Sequence, residues 1–189
     1  MSSAADREEG PTLLTERLVL RRWQPSDAEP FARLNADPLV MEYFPATLSR
    51  KESDALIERM DGLFREHGFG AWAVEVRESS ALAGFVGLWP QVDRELPFAP
   101  ATEIGWRLAK EWWGRGIASE AAAASLELAF GELDLEEVVA YTTVENQRSR
   151  AVMERLGMHR DPAEDFLHPA LEESHPLAPH VLYRIGRGT

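Results

Sequence analysis

The stretch TEIGWRLAKEWWGRGIASEAAAASLELAFGEL, residues 102–133, limits the fold more than any other part of the chain. Its first seven residues suit a strand, on which Glu103, Gly105 and Arg107 share one face. From residue 114 onward the pattern is helical: Ile117, Ala121, Ala124 and Leu128 recur on one face, and that face is mostly small. Gly114 and Gly116 lie just ahead of this helix, where they free the backbone of a Cβ. A helix N-terminus carries backbone N–H groups without intrahelical partners, and its dipole favours an anion. Strand, glycine turn and helix in this order describe either an anion-binding corner or a tight turn in which glycine serves packing alone.

The flanking segments follow the same logic. TERLVLRRW alternates as a strand does. QPSDAEPFARLNAD predicts a short helix capped by Ser26 or Asp27 and carrying Phe31 and Leu34. TLSRKESDALIERMDGLFREHG predicts a longer helix. Ser49 caps it, Glu52 completes a capping box, Ala55, Leu56, Met60, Leu63 and Phe64 form its apolar stripe, and Gly68 ends it. FGAWAVEVRE and LAGFVGLWP read as two strands on a short polar turn, followed by a proline-bearing loop from residue 91 to 101. EEVVAYTTV is a strand, NQRSRAVMERLG a helix ending at Gly157, and PHVLYRIGR a final strand. Strands followed by helical crossovers place the chain in the mixed α/β class.

Composition removes several functions. The chain has 189 residues and no cysteine, which excludes disulfides, thiolate metal sites and a cysteine nucleophile. Its net charge of −12 disfavours nucleic acid, whose binding relies on Lys and Arg replacing counterions. Such a surface favours cationic partners such as amines, or simply aids solubility. No apolar run approaches the ~20 residues of a membrane span, and residues 1–10, MSSAADREEG, lack a signal-peptide core. These features lead us to expect a cytoplasmic protein with a disordered tail over 1–10 and one domain over 11–189.

The glycine turn has competing readings. A P-loop requires a Gly-Lys-Ser/Thr ending, which is absent. Gly114 to Ser119 does match G-x-G-x-x-S, close to a dinucleotide fingerprint, but AKEWW separates it from the strand that the fingerprint requires next to it. Taken together, EIGWRLAKEWWGRGIASEA and the later VENQRSRAVMERLGM resemble the GNAT superfamily of N-acetyltransferases, and within it the ribosomal-protein-alanine acetyltransferases. The resemblance runs from about Leu13 to Arg187 and is most specific over 103–158.

It implies a mixed central sheet of about seven strands with about four helices, splayed between the fourth and fifth strands, where acetyl coenzyme A binds. The family's phosphate motif falls on Trp113, Gly114, Arg115, Gly116, Ile117 and Ala118, with Ser119 following, and Trp113 replaces the usual Gln or Arg. The resemblance further implies a main-chain contact from Leu108 and a pantetheine contact from Asn146, which equally suits a helix N-cap. Lys110, Arg148 and Arg150 are candidate cations for the cofactor's phosphates, or solvated helix-face charges.

The implied reaction is attack of a neutral amine on a thioester, which needs a base, donors for the developing oxyanion and an exit for the thiolate. Glu103 is the candidate base, against the alternative of a strand-face Glu paired with Arg107. The tyrosine acid of many relatives is replaced by Met153, and Ser149 is the candidate acid in its place. An α-amine, with a pKa of about 7.7–8.0, suits a single carboxylate better than a lysine near 10.4. His168, His175 and His180 match no common zinc spacing; they are expected on a proline-bearing loop over the acceptor cleft, with no metal. Trp23, Tyr43, Phe44, Trp72 and Trp89 suit core or cleft lining. The expected partner is an amine acceptor, either a protein N-terminus or a small molecule. A non-catalytic acyl-coenzyme A binder and a nucleotide-dependent oxidoreductase are the rival classes.

Overall fold

In the computed structural model, which describes residues 10–91 and 95–188, one mixed sheet runs through the molecule. Its strands are β1 (Leu13–Leu14), β2 (Leu18–Arg21), β3 (Ala71–Val76), β4 (Ala81–Gln91), β5 (Ala101–Leu108), β6 (Glu137–Thr143), β7 (Phe166–Leu167) and β8 (Pro179–Gly186). They lie in the order β1-β2-β3-β4-β5-β6-β8-β7. Two of the eight, β1 and β7, are two-residue strands. The α-helices are α1 (Ala28–Ala36), α2 (Arg50–His67), α3 (Ile117–Gly131) and α4 (Gln147–Arg155). The tail expected over residues 1–10 lies outside the described residues except for Gly10, and residues 92–94 of the 91–101 loop lie outside them too. Among the described residues no helix is long and apolar enough to cross a membrane.

The helix signals act as local chemistry requires. Ser49 accepts from the backbone of Glu52, and the Glu52 carboxylate accepts in return from the Ser49 backbone at 2.8 Å, closing the capping box of α2. Gly68 then takes a left-handed conformation and ends the helix. Asp27 departs from expectation. It is buried and does not cap α1; its carboxylate takes both terminal nitrogens of Arg21 at 2.7 and 2.9 Å. A buried guanidinium needs this partner more than a short helix needs its cap.

Strand alternation divides the core into two layers. Cross-strand neighbours Val86↔Trp106 and Leu88↔Ile104 face α3, where Ile117, Ala121, Ala122 and Ala129 pack closely because their side chains are small. Neighbours Phe85↔Arg107, Gly87↔Gly105 and Trp89↔Glu103 face the other way. There α1 and α2 supply Phe31, Leu34 and Met60 against Ala71 and Phe85. The helix face expected on Ala124 is rotated slightly: Ala124 is half-buried, whereas Ala122, Ser125 and Ala129 are fully covered.

One seam positions everything that follows. β4 and β5 are paired from Gly84↔Leu108 to Gln91↔Ala101, and β6 and β8 from Glu137↔Gly186 to Thr143↔His180. Between these wings β5 and β6 run parallel and meet only at Glu103↔Val139. Beyond that point the strands splay. These are the fourth and fifth strands of the sequence reading, renumbered because β1 precedes them.

Candidate active site

The splay opens into a cavity of about 990 Å³. Two very different walls meet in it. At one end lies the N-terminus of α3, preceded by the turn Trp113–Gly116. Gly114 and Gly116 have φ of +70° and +78°, a region in which L side chains are strained. A Cβ at Gly114 would meet nothing within 4 Å, so the space beside this turn is open. No side chain caps α3, and Gly116 holds the N-cap position itself. The first N–H groups of the helix are thus left free for a ligand beside the cavity that Ile117, Ala118 and Ser119 line.

The turn is braced from far away in the sequence. Arg17 donates from Nε to Glu120 at 2.6 Å and from Nη1 to the Arg115 carbonyl at 2.9 Å. Thr15 donates to the same Glu120 carboxylate at 2.6 Å. These donors hold the Glu120 carboxyl below its usual range although burial pushes it up. Trp113 does not offer a side chain to the cavity's polar end; its indole N–H donates to the Leu108 carbonyl at 2.8 Å, pinning the turn to the end of β5.

Asn146 and Ser149 stand at the start of α4 on the opposite side of the seam. The Asn146 side-chain Oδ1 accepts from the Ser149 backbone N–H at 3.2 Å, so Asn146 is an N-cap. Its amide donates to Thr142 Oγ1 at 2.9 Å and to Ser149 Oγ at 3.2 Å. With Asn146 as its donor, the Ser149 hydroxyl keeps its own proton available. Both residues line the cavity, as do Leu108, Trp113, Gly114 and Gly116.

Arg115 and Arg150 stand apart from that lining. Arg115 lies over the Trp112 ring at 5.2 Å. Arg150 donates to the Val144 carbonyl at 3.0 Å and to the Tyr183 hydroxyl at 3.4 Å, bracing α4 against the sheet. Lys110 pairs with Asp37 at 3.0 Å. Arg148 pairs with Glu42 at 2.6 Å and lies 4.4 Å from the Trp113 ring centroid, on the cavity wall.

At the other end of the cavity Glu103 projects from β5 next to the seam. Its carboxylate accepts a short hydrogen bond from the Gln91 amide on β4 and makes no ion pair with Arg107. Burial raises its pKa to about 7, and the Gln91 bond only partly offsets this. Gly105 leaves room beside it: a Cβ there would sit 3.5 Å from Glu103 Oε1 and 3.4 Å from the Trp89 ring. Gln91 was not apparent from the sequence, because it reads as the first loop residue. The period-two run Gly87, Trp89, Gln91 was the available signal.

Tyr141, His168 and His180 close this end. The two imidazoles are 5.0 Å apart, and Tyr141 lies 5.7 Å from His180. Burial lowers both histidines and raises the tyrosine, whose ionisation the nearby Glu103 also opposes. Burial thus favours the neutral form of His168 and His180, and among the described residues no cluster of His, Cys, Asp or Glu could hold a metal ion.

An acetyltransferase (GNAT) domain model matches residues 17–159. The FsC-acetyl coenzyme A-N(2)-transacetylase of Aspergillus fumigatus is 33% identical over 157 residues, 78% of this chain and 65% of that protein. An acetyltransferase (GNAT family) from Bacillus anthracis superposes with a TM-score of 0.78 at 24% identity, covering 95% of this chain and all of that one. The ribosomal-protein-S5-alanine acetyltransferase from Vibrio fischeri has the same fold, with a TM-score of 0.70 at 16% identity over 94% and 97% of the two chains. With the splayed seam, the uncapped helix at the glycine turn and the domain match together, the chain belongs to the GNAT family of acetyltransferases.

Proposed function

We propose that this chain transfers the acetyl group of acetyl coenzyme A to a primary α-amine, with Glu103 as general base. One observation carries the reading. A carboxyl whose burial raises its pKa to about 7 shares a single cavity with an uncapped helix N-terminus. A base is most effective when its pKa lies near the working pH. A perturbed carboxyl set in a cleft is the feature expected of a functional site.

The fit to the cofactor rests on the turn. Open space beside Gly114, free N–H groups at the start of α3 and the guanidinium of Arg148 on the wall suit a pyrophosphate in a chain of net charge −12. When bound, acetyl coenzyme A supplies an activated acetyl thioester whose thiol has a pKa of about 8.5. The protein's residues do the rest. Glu103 takes the proton of the incoming ammonium, directly or through water. The main-chain groups freed at the splay beside Leu108 offer donors to the acyl oxygen. Ser149, held by Asn146, returns a proton to the departing sulfur.

An α-amine is favoured over a lysine because neutralising a lysine at pH 7 costs about 3–4 kcal/mol more, and the cavity has one carboxylate to do it. The test is a panel of amines with acetyl coenzyme A, followed by free thiol. Amino-terminal peptides and α-amines are expected to outrun lysine ε-amines near neutral pH; a uniform preference for ε-amines would refute the acceptor class.

Ser149→Ala is expected to lower kcat by less than about tenfold, below the usual range for a general acid, because a thiolate leaves with little help and water can replace the hydroxyl. Steady-state kinetics with the best acceptor measures it. A loss as large as that of Glu103→Gln would make Ser149 indispensable and require the roles to be redrawn.

A further inference from the structure

The α1–α2 side of β5 contains a cation that acetyl transfer does not explain. Arg107 lies two residues beyond Gly105 on the Glu103 face, and its side chain lines the cavity. One terminal nitrogen donates to the Asn35 side-chain Oδ1 at 2.7 Å. Asn35 is itself wholly buried and fixed by donating to Ser53 at 2.8 Å, so it is a rigid neutral support. Phe44 stacks on the guanidinium at 4.1 Å and Phe85 lies at 5.6 Å. The Nε is buried and has no hydrogen-bond partner. Among the described residues no carboxylate lies within ion-pair distance of Arg107, whereas Arg21, on the edge side of the same sheet, holds Asp27 and Glu75, and Arg22 holds Asp61. Burial lowers its pKa to about 10, the mark of a cation whose charge is uncompensated.

An uncompensated buried guanidinium is costly unless something anionic meets it. The cofactor's phosphates do not suit that role. The turn that suits a pyrophosphate opens α3, which packs on the Ile104 face of β5, and Arg107 points to the Phe85 face. The Arg107 face is the one that Glu103 shares, and the aromatic side chains of Phe44 and Trp89 flank it. Resting on the acetyl-transfer reading above, we infer that the acceptor is an amine that also carries a carboxylate, received by Arg107 while Glu103 receives the amine. The planar fork of a guanidinium matches a carboxylate in two-pronged fashion, and Phe44 and Asn35 hold that fork ready. Strand rise puts the Cα atoms of residues 103 and 107 about 13 Å apart, so the acceptor spans the space over Gly105.

The experiment uses matched pairs. Amino acids from glycine to 6-aminohexanoate, with leucine and phenylalanine, are each compared with their carboxamides for acetyl-coenzyme-A-dependent thiol release. The N-acetylated forms of the same pairs are titrated calorimetrically into the coenzyme-A-bound protein. At least one carboxylate is expected to exceed its amide by roughly 10–100-fold in kcat/KM or in affinity, the factor for a hydrogen bond to a charged group. Arg107→Met should erase that preference, lowering the carboxylate by much more than the amide while coenzyme A affinity stays within about threefold. Arg107→Lys, which keeps the charge and loses the fork, should fall between the two and guards against a misfolded Met variant. No preference in any pair, or a preference that survives both substitutions, overturns the inference. Thiol release from carboxylates and amides alike leaves acetyl transfer standing and removes the anion site. Carboxylate binding that depends on Arg107, with no thiol release from any amine, does the reverse.

Discussion

Glu103→Gln is expected to lower kcat by about 10²–10⁴-fold, the usual range for loss of a general base. The amide keeps the shape of the side chain and can still accept from Gln91, so cofactor affinity should hardly change. The pH dependence is the sharper signature. In the wild type only the ionised carboxylate can take a proton, so activity should climb as pH rises through about 7. In the variant that limb should vanish and the remaining one should follow the amine, at about 7.7–8.0 or above for an α-amine. The deficit therefore does not shrink as pH rises through about 7, where the wild type gains its base, and narrows only above the pKa of the amine, where free amine needs no base. Stability should move the opposite way. A carboxyl with a raised pKa stabilises the fold below its ordinary value, and that contribution is lost as pH rises through about 7. Glu103→Gln removes the buried charge, so its thermal midpoint at pH 8 should equal or exceed that of the wild type. Full activity at pH 6–7 would show Glu103 to be structural.

Gly116→Val is expected to weaken acetyl coenzyme A binding by roughly 10–100-fold, because forcing a β-branched residue into this backbone region costs on the order of 1–3 kcal/mol. At φ +78° the turn can hold valine only by changing its backbone, and the new Cβ also approaches Arg17 Nη2 at 3.4 Å. Either response displaces the brace between Arg17, Glu120 and the Arg115 carbonyl. Gly131→Ala is the control, since Gly131 has open space around it and no left-handed conformation. Calorimetric titration with acetyl coenzyme A, NAD and ATP measures both effects. Folded Gly116→Val with normal affinity, or NAD bound in place of coenzyme A, would remove the phosphate role from this turn.

Features written in adjacent residues could be read directly. The Ser49–Glu52 box, the Gly68 terminus and the alternation of β2 to β6 each depend on neighbours within about one turn or one strand. The glycine turn was equally legible, as a site for close backbone approach. What escaped depends on chain segments far apart. Glu120 belongs to Thr15 and Arg17, more than a hundred residues earlier, and nothing local in either segment announces the other. The same holds for Arg107 and Asn35, joined only when α1 folds over β5. Asp27 looked like a cap because capping is the local use of Asp, and Arg21 is reached only through the fold. The strands Leu13–Leu14 and Phe166–Leu167 are too short for any period to show. Arg115, over the Trp112 ring, and Arg150, bonded to Val144 and Tyr183, show contacts that the motif's register alone does not tell.

The seam at Glu103↔Val139 has a thermodynamic consequence. Two parallel strands that separate after one point of pairing leave backbone donors and acceptors that would otherwise satisfy each other. A ligand chain with its own amides can complete them when it lies in the gap. The sheet would then be stitched across the seam of β5 and β6 by a molecule that is not part of it. Binding and consolidation of the two wings become one equilibrium, and a ligand at a hundred times its Kd adds about 2.7 kcal/mol to the stability of the whole. On the acetyl-transfer reading proposed above, the protein is thus most cohesive when acetyl coenzyme A is plentiful.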